Sequence, residues 1–256
     1  GHPTRSKSRN LIPSEELSRQ FIAGMNGFEC WMDKHGFPIT LFVIADMFES
    51  KPFSKWLGKI LSKYKDRITI GCHGLTHRSW SAWPEDSEGF FQSLSQAKGI
   101  IQQRVGDNWR PWFRAPGGYI APWMADVIAE CGFTVDTSIN PSWLVKKKTG
   151  KGNNWKKVRQ SIDDNKIIER EWLNKWSLPV NGPALSIFPL SIISKMAWNK
   201  LPPILTVKQA LTAPEDIAFK ISTVYWHILD HNRGDGNWKP PLPKHIFSQD
   251  NQQSNT

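Results

Sequence analysis

The sequence predicts an α/β fold on a parallel sheet or barrel, and three observations point there. Short apolar runs alternate with amphipathic stretches from about Ser14 to Ser138. The run Ile39 to Ala45 is almost continuously apolar, as a strand covered on both faces requires. Polar clusters follow four strand candidates, at His73–His77, Arg114–Tyr119, Val135–Trp143 and Tyr225–Asp230. Folds of this class gather their chemistry at strand ends, so the four clusters suggest one shared mouth.

The elements follow in order. Leu17, Phe21, Met25 and Phe28 recur at helical spacing, and Ser14 is placed to cap a helix that runs to about Lys34 and stops at Gly36. After the strand at Ile39 a helix is expected over about Pro52–Lys65. Ile68, Ile70 and Cys72 then alternate along a second strand, and a helix covers about Ser87–Arg104. Trp112–Arg114 is a third strand, Ala121–Cys131 a helix ended by Gly132, and Phe133–Asp136 a fourth strand. Beyond Pro141 the alternation lapses. Lys146 to Arg159 reads as a mobile basic loop, and Ile187–Leu205 as an apolar, Pro-interrupted segment that caps a core or rests on lipid. Ile221–Leu229 has the β-branched and aromatic content of a strand.

Composition bounds the rest. The chain has 256 residues, 39% hydrophobic and 22% charged, enough for a large core and far from the composition of disorder. A single domain over 1–256 is expected, with an irregular basic and aromatic elaboration over 144–220 and a polar tail over 246–256. No apolar run of about eighteen residues is present, which excludes a spanning helix, and Gly1–Asn10 is too polar for a signal peptide. Cys30, Cys72 and Cys131 share no ligand spacing and read as buried thiols. The net charge of +10 fits nucleic acid, an anionic membrane surface, an acidic glycan or plain solubility, and no nucleic-acid motif accompanies it.

The most informative text is ITIGCHGLTH, Ile68–His77. A strand leads directly into His73 and His77, so both imidazoles can converge on one cation just past the strand end. An isolated pair at this spacing more often hydrogen-bonds within its fold, but its neighbours are unusual. Phe113–Tyr119 (FRAPGGY) places the cation of Arg114 before a Pro-Gly-Gly turn whose amides could face a ligand.

Here the chain resembles the polysaccharide deacetylases of the NodB homology fold, a group like carbohydrate esterase family 4. HGLTH matches the family's His-x-x-x-His motif, RAPGG its Arg-x-Pro motif, and ITLFVIAD, CGFTVDTSI and VYWHILD its second strand, a later Gly-aromatic strand and a late histidine strand. The resemblance spans about Glu16 to Asp230 and implies a distorted (β/α) barrel and removal of an N-acetyl or N-formyl group from an amino sugar, in a glycan or a lipid-linked saccharide. It implies that His73 and His77 hold a divalent metal, zinc by preference, that activates water and polarises the amide carbonyl. By the same resemblance Gly117 supplies an oxyanion N–H, Arg114 orients an acidic partner and His227 protonates the leaving amine. Gly118 and Tyr119 would contact substrate, and Trp143 would wall the sugar site or simply pack in the core. A cytoplasmic or membrane-associated setting is expected.

The family opens with a strand ending in paired acids, and none precedes Ile39; the first acids are Glu15 and Glu16. Either the acidic strand lies upstream of residue 1, or the chain is a degenerate relative that binds carbohydrate without hydrolysing it. Asp46, Asp136 and Asp230 are the acids nearest the expected mouth, Asp46 as a helix cap or site carboxylate and Asp230 as a support for His227 or His231.

Overall fold

A computed structural model describes residues 17–202, 205–232, 234, 238 and 240–242. Five parallel strands, β1 (Ile39–Val43), β2 (Ile68–Cys72), β3 (Trp109–Phe113), β4 (Val135–Asp136) and β5 (Ile168–Glu169), lie side by side in chain order. Sequential order without reversal is the winding of a barrel wall, in which each crossover helix lies outside its own strand pair. Among the described residues β1 pairs only with β2. At the other edge the wall continues past β5 through a parallel bridge between Trp172 and Thr223.

The crossovers are α1 (Arg19–Lys34), which precedes the sheet, then α2 (Lys51–Lys63), α3 (Ser87–Val105), α4 (Pro122–Glu130) and α5 (Trp155–Asp164). All but α4 begin where the sequence offers an orphan amide a side-chain acceptor. Ser18 takes the Phe21 N–H at 3.2 Å, Asp86 takes Gly89 N–H at 2.9 Å, and Asn154 takes Lys157 N–H at 3.0 Å. The first helix therefore starts at the Ser18 cap, later than expected; Ser14, Glu15 and Glu16 lie outside the described residues, as do His2, His245 and the 246–256 tail.

All five residues of β2 are buried, because helices cover one face and the wall's interior the other. Two readings of the chain are corrected. Lys146–Arg159 is no loop: a 3₁₀ segment spans Trp143–Thr149, and α5 follows. Trp155, Val158 and Ile162 recur along α5 as a buried stripe, while the lysines stay in water. The expected strand Ile221–Leu229 pairs only at Thr223 and then coils into a 3₁₀ turn, Ile228–His231. Cys72 and Cys131 are buried thiols, and Cys30 is half-buried.

Two helix contacts position that late segment. Gly24 and Gly27 let α1 lie directly on the 228–231 backbone: a Cβ at Gly24 would fall 2.6 Å from the Ile228 carbonyl oxygen, and one at Gly27 only 2.2 Å from that of His231. Around this contact Trp31, fully buried, meets the rings of Phe28, Phe37, Trp226 and His231 at 5.5–6.2 Å between centroids. On its other side α1 joins α2, where Lys63 and Tyr64 reach Asp33.

Candidate active site

The carboxyl ends of the strands are stitched together by a few polar contacts. The Ala45 and Asp46 amides extend the β1–β2 ladder onto the Gly74 and Leu75 carbonyls. The Ala115 N–H donates to Ser138 Oγ at 2.7 Å, and Trp172 Nε1 donates to the Thr137 carbonyl at 2.7 Å. Two of the four junctions expected to share a mouth, Arg114–Tyr119 and Val135–Trp143, are thus directly joined. Gly118 shows the tightness of the join: at φ +73° it faces Trp172, and a Cβ there would come within 2.9 Å of the indole.

His73 and His77 stand together, ring centroids 5.2 Å apart. The His73 Nδ1 lies 2.6 Å from the Arg114 carbonyl oxygen, so this nitrogen must carry the proton and donate. Nε2 is then the lone-pair nitrogen, the form a metal takes up. Burial, with the charges of His77 and Arg114 adding to it, holds His73 well below the usual histidine range and keeps the ring neutral at physiological pH. His227 contributes to the same depression, which brings the third imidazole into the electrostatic neighbourhood of the pair.

Arg114 lies against a pair of touching rings, its guanidinium 3.8 Å from the Tyr225 centroid and 4.3 Å from that of Trp172, with the two centroids 4.6 Å apart. Burial presses it down to about 10, so it remains a cation at neutral pH. Tyr225 in turn meets the His227 ring at 5.6 Å, edge to face, and Asp230 accepts the His227 backbone N–H at 2.7 Å. His227 itself is exposed on the rim. Asp46 is buried in the 3₁₀ turn after β1, at the same end of the sheet.

The Pro-Gly-Gly turn is a 3₁₀ segment, Pro116–Gly118, with Gly117 at φ +65°. Gly118 and Tyr119 amides bond back to Ala115 and Pro116, while Lys148 Nζ donates to the Gly117 carbonyl at 2.6 Å and lies over the Tyr119 ring at 5.3 Å. Trp143 is 58% exposed, at the start of the segment that carries Lys148, which excludes core packing for it.

Sequence reasoning missed a second carboxyl beside Asp136. Asp136 and Glu169 are register partners on β4 and β5, both with buried carboxyl groups. Asp136 accepts from Ser138 N–H at 2.9 Å and Ser138 Oγ at 2.7 Å, and Glu169 accepts from the Ile139 N–H. Burial and then the Asp136 charge drive Glu169 well above the usual carboxylate range. A group whose folded pKa is raised lends stability below its unfolded pKa and loses it as pH rises. Glu169→Gln removes this titration. The variant should match the parent near pH 4 and become progressively more stable than it as pH rises toward 8 in denaturant unfolding; parallel pH profiles would refute the raised Glu169.

Comparison with known proteins bears on family and fold. Residues 29–135 match the model of the polysaccharide deacetylase family, a segment that holds His73, His77, Arg114 and Gly117. The resemblance read from the sequence therefore holds over that segment. A crystal structure from Mycobacterium smegmatis, of a protein provisionally named a polysaccharide deacetylase, superposes with a TM-score of 0.50 at 15% identity, covering 93% of this chain and 80% of that one. At that identity the likeness shows the α/β fold. No curated protein matches the chain.

Proposed function

We propose that this chain, a relative of the polysaccharide deacetylases, is a hydrolase that removes an N-acetyl or N-formyl group from an amino sugar of a glycan or a lipid-linked saccharide. The observation that carries the reading is the His73–Arg114 contact, which leaves His73 Nε2 as a lone-pair donor beside His77 at the strand ends. The family match supports deacetylation of a carbohydrate, and the family is generally metal-dependent.

The donor set fits two positions of a divalent ion such as zinc, which takes imidazole nitrogen as a ligand. When bound, such an ion supplies a water nucleophile at neutral pH and polarises the scissile carbonyl. The chain's own groups do the remainder. The Gly117 N–H is the candidate donor to the developing oxyanion, and its positive φ presents the amide at the tip of the turn. Arg114, held against two rings, is a cation for an acidic partner or the substrate carbonyl. His227, on the rim with Asp230 fixing its backbone, gives a proton to the departing amine. Tyr119, Gly118 and the exposed Trp143 ring offer surface to the pyranose.

A second reading follows from one observation: among the described residues no group of three His, Cys, Asp or Glu side chains converges as a metal site. In that reading the chain binds N-acyl saccharides without cleaving them. Release of acetate or formate from an N-acyl amino-sugar oligomer, measured with added divalent metal and again with chelator, separates the two. The hydrolase reading expects product that chelator removes by at least about 100-fold. Saccharide binding with no product under any metal supports the second.

A further inference from the structure

Two acid-free stretches of sequence meet on one face of the molecule. Residues 137–162 hold seven Lys or Arg and no Asp or Glu, and residues 172–214 hold four Lys and none. The first forms the 3₁₀ segment Trp143–Thr149; the second forms a hairpin, β6 (Asn174–Lys175) and β7 (Leu178–Pro179), and a helix, α6 (Leu190–Trp198). The Trp143 N–H bonds to the Ser177 carbonyl at 3.1 Å, and α6 packs beside both hairpin strands. Three elements therefore share a surface, and Lys148 ties it to Gly117 at the mouth.

That surface is apolar where a monomer in water would be polar. α6 buries Ser194, Ala197 and Trp198 inward, yet leaves Ile192 at 52% and Met196 at 44% exposure on its outer side. Phe188 just before it is 78% exposed, and Trp176 at the hairpin tip 67%. The hairpin turns through Trp176 and Ser177, both at positive φ (52° and 57°), where Asn-Gly would be relaxed. A large indole is thus held outward on a strained turn. Lys175 lies over its ring at 4.9 Å, and Lys146, Lys147, Lys195 and Lys200 are exposed around the patch.

We propose that this face docks on an anionic lipid bilayer, with Trp176, Phe188 and Ile192 entering the headgroup boundary and the lysines pairing with lipid phosphates. Aromatic and aliphatic side chains ringed by cations, with no acid in either stretch, complement that surface in both polarity and sign. A protein partner of ordinary composition offers no such uniform negative charge. The docking stands on this geometry alone and is independent of the hydrolytic reading, which a soluble N-acyl sugar tests separately.

The test is co-sedimentation of the full chain with vesicles of phosphatidylcholine alone or mixed with phosphatidylglycerol, together with tryptophan emission. Binding should need phosphatidylglycerol, blue-shift the emission and weaken steeply with added salt. The double variant W176S/F188S should bind at least about tenfold more weakly. K195E/K200E, which leaves the apolar residues and buried contacts in place, should lose the preference for phosphatidylglycerol. Circular dichroism confirms that both variants are folded. Absence of vesicle binding, equal binding to neutral vesicles, undiminished binding by both variants, or a self-associated species that W176S/F188S dissolves would each overturn the proposal.

Discussion

On the proposed hydrolysis, His73→Ala should leave less than about a thousandth of the parent kcat/KM on an N-acyl amino sugar, because it would remove a candidate metal donor together with the contact that orients it. His227→Ala should cost about 100-fold or more through loss of a proton donor while retaining the metal. The two losses differ in a second readout: zinc content by elemental analysis falls in the first variant and is unchanged in the second. Equal metal content in the parent and His73→Ala would remove the imidazole pair from the chemistry, whatever happens to the rate.

Gly27→Ala should destabilise the protein by about 2–3 kcal/mol, roughly 5–10 °C in Tm for a chain of this size. Helix propensity alone argues the other way, since alanine is favoured over glycine by about 1 kcal/mol in a helix interior. The contact decides the sign: the new methyl would sit 2.2 Å from the His231 carbonyl oxygen, a backbone atom that no rotamer change moves aside. Gly58, in α2 with nothing near its missing Cβ, is the control, and Gly58→Ala should stabilise by up to about 1 kcal/mol. Because His227 immediately precedes the displaced 228–231 turn, the folded fraction of Gly27→Ala should also be slower on substrate. Thermal melts of both variants check the sign, and a stabilised Gly27→Ala would show that α1 does not rest on this backbone.

How much of this was legible in the sequence depends on how local each signal is. β1 announced itself by a nearly unbroken apolar run and β2 by the alternation of Ile68, Ile70 and Cys72, and His73 followed because the site begins where that strand stops. The Asn154 cap and the Trp155, Val158, Ile162 spacing were equally local, but four surrounding lysines masked the helix as a solvated loop. The hairpin at Asn174–Pro179 carried no turn signature, since its corner is Trp-Ser in place of Asn-Gly. Ile221–Leu229 had strand composition without a full strand partner, and composition cannot report a neighbour's length. The contact of Arg114 with Trp172 and Tyr225, and the pairing of Asp136 with Glu169 across β4 and β5, join residues far apart in the chain, so only the folded wall brings them together.

The acceptor that fixes the His73 tautomer is a main-chain oxygen. No side-chain replacement at position 114 can delete it, and any residue able to continue β3 would preserve the ring's alignment. Metal readiness on that imidazole is therefore inherited from strand register, whereas the positive charge beside it is encoded by a single codon. Lineages could shed the cation and keep a correctly aimed ligand, so persistence of the ligand among divergent descendants would say little about whether catalysis survived.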